Sequence, residues 1–267
     1  MIWKTRQRSD GAGGLCFFEE GQGLPLVLIH GVGLQAEAWS AVLPHLSPRF
    51  RVIAVDMPGH GKSPLQESTT LDAFTDRFAA FIQALDQPIF LAGHSMGALL
   101  AVELAAILPD RVRAIIALNT VFRRSQTAAE AVQARAHALI CEGAGDPGAT
   151  LKRWFGTNPD GDVKAASDAC RKWLTRPNFK GYAAAYRIFA HYDGPDAAQL
   201  ARLTCPAFFM TGAEDPNSTP QMSQALATAC GGTSQVLQQA AHMLPMTHPQ
   251  DLSAALMTQF SPNRIAP

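Results

Sequence analysis

Gly93-His94-Ser95-Met96-Gly97 is the string in this sequence best suited to chemistry. It has the form Gly-x-Ser-x-Gly and joins an apolar run, residues 88–92, to an apolar, Ala-rich stretch, residues 96–108. A serine on a sharp strand-to-helix turn has its hydroxyl lifted clear of the sheet, and flanking glycines let neighbouring backbone close in. The Met96 amide, at the start of the expected helix, then points into the same space. A serine hydroxyl is a weak nucleophile at neutral pH and needs a base. Of the eight histidines, His30, His60 and His94 sit in glycine turns and read as loop-shaping, His45, His137 and His191 fall in helical patterns, and His248 precedes a proline. His242 follows the last expected strand on a loop at the sheet's carboxyl edge, where a base must hang to reach Ser95.

The base needs a carboxylate to fix its tautomer and stabilise the imidazolium. Asn119, after the fourth expected strand, cannot carry that charge. In Thr211-Gly212-Ala213-Glu214-Asp215-Pro216, after a later strand, either Glu214 or Asp215 fits, and Asp215 is favoured because it lies deeper in the turn ahead of the proline. Ser95, Asp215 and His242 are therefore the expected catalytic set. A developing oxyanion needs two donors. His30-Gly31-Val32-Gly33 follows the first buried strand, and the Val32 amide is the expected partner of the Met96 amide.

These residues need a scaffold, and the hydrophobic pattern supplies one. Residues 2–7 and 15–18 read as a hairpin joined through glycines. Apolar runs at 24–29, 51–55, 88–92 and 113–118 read as buried strands, alternating with helical patterns at 37–46, 71–85 and 96–108. From 125 to 201 the pattern is helical, with breaks at 143–148, 158–161, Pro177 and 194–195. The alternation returns with strands at 205–210 and 235–237 and helices at 219–229 and 250–260. The expected fold is α/β: a mostly parallel twisted sheet flanked by helices, with residues 1–120 and 202–267 as the core and 121–201 as an inserted helical cap. In the cap, Arg153 and Trp154 are neighbours and point about 100° apart on a helix. One suits a substrate carboxylate, the other the wall of an apolar pocket.

Composition narrows the classes. The 267 residues are 47% apolar with zero formal net charge, which argues against disorder and against a nucleic-acid partner. Five scattered cysteines lack metal or disulfide spacing. The first ten residues show no secretory pattern, and the longest apolar segment, 98–108, is broken by Glu103. The expectation is a cytoplasmic protein with a small-molecule substrate, no metal and no membrane partner.

Together these motifs resemble the α/β-hydrolase superfamily over nearly the full length. They are His30-Gly31, Asp56-Met57-Pro58-Gly59-His60-Gly61-Lys62-Ser63, Gly93-His94-Ser95-Met96-Gly97, Gly212-Ala213-Glu214-Asp215 and Ala241-His242, and the chain order Ser, Asp, His agrees. Leu118-Asn119-Thr120, Leu151-Lys152-Arg153-Trp154-Phe155 and Gly181-Tyr182-Ala183 look most like the 3-oxoadipate enol-lactonase group. That resemblance implies hydrolysis of a small acidic enol-lactone in aromatic-compound breakdown, by a serine triad and with no cofactor. The expected activity is hydrolysis of a carboxylic ester or lactone through an acyl-enzyme. The alternatives are a C–C bond hydrolase of the meta-cleavage type and a non-catalytic ligand receptor on the same scaffold. Dehalogenases and epoxide hydrolases of this fold need an aspartate where Ser95 stands.

Overall fold

The computed structural model describes residues 2–143, 145–175 and 179–261. Pro177, one of the expected helix breaks, and the last six residues of the expected core lie outside the described residues. The strands are β1 (Ser9–Asp10), β2 (Cys16–Glu20), β3 (Leu24–Ile29), β4 (Phe50–Val55), β5 (Ile89–His94), β6 (Val112–Leu118), β7 (Ala207–Gly212) and β8 (Thr233–Leu237). They form one sheet in the order β1-β2-β4-β3-β5-β6-β7-β8. β2 pairs antiparallel with β1 and β4, and every other pairing is parallel.

The helices are α1 (Leu43–Leu46), α2 (Leu71–Gln83), α3 (Met96–Ile107), α4 (Gln126–Glu142), α5 (Gly148–Phe155), α6 (Gly161–Leu174), α7 (Phe179–His191), α8 (Ala197–Ala201), α9 (Pro220–Cys230), α10 (Leu244–Thr247) and α11 (Pro249–Gln259). Strands β3 and β5 are buried on both faces because helices cover both. One apolar core lies under α2, α3 and α9, a second lies under α1 and α11, and a third joins α5 and α6 to α10. Apart from Glu103, helix α3 is apolar all round, as a helix enclosed by a core tends to be. No described helix is long and apolar enough to cross a membrane.

The chain enters β3, moves to β4 on one side, then to β5 on the other. The loops leaving β3 and β5 therefore open side by side, and Ile29 pairs with Gly93 at that edge. Ligands in open α/β sheets bind at such a reversal of strand order. Five helices, α4 to α8, separate β6 from β7. Helix α7 reaches the loop after β4, where the backbones of Gly181 and Gly59 touch and neither leaves room for a side chain.

Two local expectations fail. Residues 2–7 form no strand: sheet pairing begins only at Ser9↔Phe17. The segment is held instead by carboxylates. The Arg6 amide donates to Glu37 Oε1 at 2.7 Å, and the Arg8 guanidinium bonds Glu37 Oε2 at 2.7 Å and Asp56 Oδ2 at 2.8 Å. The helix expected over 37–46 is a 3-10 turn (Ala36–Trp39) followed by α1, because Pro44 lacks an N–H and begins a new turn rather than continuing the old one.

The Arg8 cluster is fully enclosed. Burial pulls the Arg8 pKa down, but hydrogen bonds and charge from Glu37 and Asp56 outweigh it and raise the value. Asp56 also accepts from the amides of Ala36 (2.8 Å) and Lys62 (2.9 Å), tying the turn after β3 to the turn after β4. Truncating Arg8 to alanine leaves two buried carboxylates without their cation. Urea unfolding should then show a loss of about 3–5 kcal/mol. A loss under 1 kcal/mol would mean that the cluster is dispensable.

Candidate active site

Ser95 sits between β5 and α3 with φ 56° and ψ −117°, a conformation a side chain rarely adopts. Its amide donates to Leu118 O on β6 at 2.8 Å, which holds the strained turn. A Cβ on Gly93 would strike the Gly97 carbonyl, and one on Gly97 would strike the Ile29 carbonyl. Packing of α3 against β3 and β5 thus requires both glycines of the motif. The Met96 amide is the first of α3 and has no carbonyl four residues back to bond within the helix.

His242 lies on the loop between β8 and α10, and its Nδ1 is 2.7 Å from Asp215 Oδ2. Asp215 is buried, and Glu214, its neighbour, is exposed. Burial alone would raise the Asp215 pKa. The imidazole, the Asn217 amide and the Asn119 side chain overcome it and bring the value down to about 2. With the carboxylate ionised, the imidazole proton sits on Nδ1, which leaves the Nε2 lone pair available.

Asn119 cannot carry the charge of the acid, but it takes part as a donor. Its Nδ2 reaches Asp215 Oδ2 at 2.8 Å from the end of β6. Its backbone is left-handed, φ 51°, a conformation asparagine tolerates better than most residues. An Asn at a strand end beside the acid's strand was the available signal. Asp215 Oδ1 accepts from the amides of Asn217 (2.9 Å) and Ser218 (3.2 Å).

Three buried histidines hold the surrounding loops. His30 Nε2 accepts from the Met57 amide and His60 Nε2 from the Gly33 amide, each at 3.0 Å. His94 Nε2 faces the His242 carbonyl at 2.7 Å and, with an oxygen as its partner, carries the proton there. Burial lowers the pKa of all three, His94 to about 3. A Cβ on Gly31 would lie 3.1 Å from Ser95 Cβ, so the loop after β3 passes directly beside the serine.

Ser95, Val32 and His242 border one cavity of about 380 Å³, together with Arg124, Arg153, Trp154, Tyr182 and Tyr186 from the helical segment and its lead-in. Trp154 stacks on the His242 ring with centroids 5.9 Å apart and planes at 23°. Arg153 is exposed, and its guanidinium donates to Thr150 Oγ1 at 3.3 Å. Arg124, which the sequence did not single out, is buried and paired with Asp193 at 2.9 Å. It stands 4.4 Å from the Phe189 ring centre. Among the described residues no group of three or more His, Cys, Asp or Glu side chains is arranged to hold a metal ion.

A strand-to-helix serine, an Asp–His pair and a loop beside them on a parallel sheet agree with a family comparison that matches residues 26–255. The chain belongs to the alpha/beta hydrolase family. This hydrolase is 41% identical over 259 residues to the (E)-2-((N-methylformamido)methylene)succinate hydrolase of Acinetobacter baylyi, covering 96% of this chain and 97% of that one. A thermophilic esterase from Thermogutta terrifontis, solved with malate bound, superimposes with a TM-score of 0.81 at 26% identity, over 95% of this chain and 97% of its own. The enol-lactonase of Burkholderia xenovorans LB400 gives a TM-score of 0.83 at 23% identity, over 94% and 98% of the two chains, a likeness of fold.

The buried histidines make stability depend on pH. Their folded pKa values lie below the ordinary 6.5, so the unfolded chain binds more protons than the fold once the pH drops below that value. Their contribution is complete above pH 6.5 and is lost as the pH falls, by up to about 1.4 kcal/mol per pH unit for each histidine. Asp215 adds a further loss below its ordinary 3.8. Urea midpoints measured from pH 7.5 to 4.5 should decline steadily, and a level profile would contradict the neutral, buried assignment.

Proposed function

We propose that this chain is a serine hydrolase that opens an acyl bond in a small, carboxylate-bearing molecule through an acyl-enzyme. The observation that carries the reading is the Asp215–His242 hydrogen bond, with His242 bordering the same cavity as Ser95. In this reading Ser95 Oγ attacks the carbonyl carbon while His242 Nε2 takes its proton. The amides of Val32 and Met96 donate to the oxyanion. His242 then gives the proton to the leaving oxygen or nitrogen. Water attacks the acyl-serine with His242 again as base, and the acid departs. Asp215 stays ionised throughout and orients the imidazole.

The substrate reading leans on two relatives. One is named for a methylenesuccinate with an N-acyl group, and the other was solved with malate. Both molecules are dicarboxylates. Esters, enol-lactones and N-acyl enamines all present an acyl carbon to a serine, so the same steps serve each. The likeness to the methylenesuccinate hydrolase, spread over nearly the whole chain, favours a dicarboxylate bearing such a group. Arg153 supports this as an exposed cation bordering the cavity, while Trp154 supplies an apolar wall over the imidazole. In this reading residues 121–201 act as a cap whose helices choose the substrate.

Ser95→Ala should lower turnover of p-nitrophenyl esters by several orders of magnitude with the fold retained. A variant keeping more than a few per cent of the activity would sink the nucleophile. Arg153→Ala should cut kcat/KM for carboxylate-bearing esters about ten- to a hundred-fold, since a charge-assisted contact contributes about 1.5–3 kcal/mol. Neutral esters should lose far less, and equal losses on both classes would assign Arg153 to packing.

A further inference from the structure

Glu103 is a buried carboxylate on α3, the helix that Ser95 precedes, and no step above uses it. It lies about 10 Å along the axis from Met96. The Tyr192 hydroxyl donates to its Oε1. Gln199 Nε2 donates to Oε1 at 3.0 Å and to Oε2 at 2.8 Å. The Gln199 amide cannot turn round, because its own oxygen accepts from the Asp196 amide at 2.7 Å in the capping box of α8. Gln199 thus presents only N–H to Glu103, and the Tyr192 hydroxyl, which can donate or accept, is the partner able to receive a proton held on Glu103 Oε1.

Tyr192 and Asp193 follow α7, and Arg124 leads into α4. These two ends of the helical segment are joined as a neck. Arg123 N donates to Asp193 O at 2.9 Å, Arg124 N to Asp193 Oδ2 at 2.8 Å, and the Arg124 guanidinium to Asp193 Oδ1 at 2.9 Å and Tyr192 O at 3.1 Å. Arg124 borders the substrate cavity, whereas Glu103 borders the neck from the core side.

We propose that Glu103 is a positioning residue that, through Tyr192, fastens the neck of the helical roof and with it Arg124 over Ser95, so that a carboxylate-bearing substrate meets a fixed cation. This rests on the reading of the cavity as the substrate site. The fastening responds to protons. Burial raises Glu103 to about 7, with Asp196 and Asp72 adding to the rise and Arg202 and the Gln199 hydrogen bond opposing it. Asp72 on α2, Tyr192 after α7, and Asp196 and Arg202 flanking α8 are its titratable or charged neighbours among the described residues. A loosened neck returns Glu103 toward its ordinary 4.5, so the fastened state holds its proton more tightly. The ratio of fastened to loosened molecules then falls by up to about tenfold per pH unit between those two values and is level above them.

The test uses p-nitrophenyl hydrogen succinate and p-nitrophenyl butyrate, each followed from pH 5.5 to 8.5. The ratio of their kcat/KM values cancels any pH dependence of the acyl-transfer steps that both substrates share. In the unaltered protein this ratio should fall several-fold up to neutral pH and then level off, through KM more than kcat. Glu103→Gln should give a level ratio, and Tyr192→Phe should lower it at every pH while butyrate turnover holds. A Glu103→Gln profile that follows the unaltered protein, or equal effects of both variants on both esters, overturns the proposal. Thermal unfolding supplies a readout independent of turnover. The Tm of Glu103→Gln minus that of the unaltered protein should grow from pH 5 to 7, and a constant difference overturns the proposal even if neither ester is a substrate. Persistence of activity in Ser95→Ala would instead defeat the functional reading alone.

Discussion

An ionised carboxylate held out of water against an imidazole is the constraint around which the rest of this structure is arranged. Removing Asp215 from solvent is costly unless every lone pair finds a donor. The donors arrive from three places: Asn119 at the end of β6, the amides of Asn217 and Ser218 after β7, and His242 after β8. Their convergence depends on the parallel register that sets Leu118 opposite Met210 and Gly212 opposite Leu237. A slip in either pairing would strand the charge, so the stability of the sheet edge and the chemistry of the site are one requirement.

The loops on the other side of Ser95 follow a related logic with opposite means. There, neutral imidazoles accept from backbone amides, His30 from Met57 and His60 from Gly33. Behind them stands the enclosed Arg8–Glu37–Asp56 cluster, which anchors the turns after β3 and β4. With the Gly33 amide bonded to His60, the loop shape that brings Val32 to the cavity is fixed before any ligand arrives. Such prior fixing is what the oxyanion role proposed for the Val32 amide requires.

Much of this was legible in the sequence because it rests on local rules. The Gly-x-Ser-x-Gly turn, the apolar runs of β3 to β7 and the loop that carries His242 each follow from a short stretch of residue types. What escaped depends on partners far along the chain. Asn119 reads as a failed acid until Asp215, 96 residues later, comes within reach. Arg124 and Glu103 look like an ordinary basic residue and an interruption in an apolar helix until Asp193 and Tyr192 fold back onto them. Residues 2–7 alternate well enough for a strand, but the buried Glu37 takes the Arg6 amide and, with Asp56, the side chain of Arg8 just beyond. Arg153 and Trp154 were legible as a pair, and the stacking of Trp154 on His242 was not.

The contact between Gly181 and Gly59 bears on how such a cavity changes size over evolutionary time. Helix α7 lies directly on the loop after β4, backbone to backbone, and its next residue, Tyr182, walls the cavity. The height of that wall is therefore set by the absence of side chains at two positions that do not themselves line the cavity. A single methyl group at either glycine would act as a shim, lifting α7 and the two tyrosines one turn apart on it. The size of ligand the cavity admits could then drift through substitutions outside its lining, and a comparison restricted to lining positions would overlook the change.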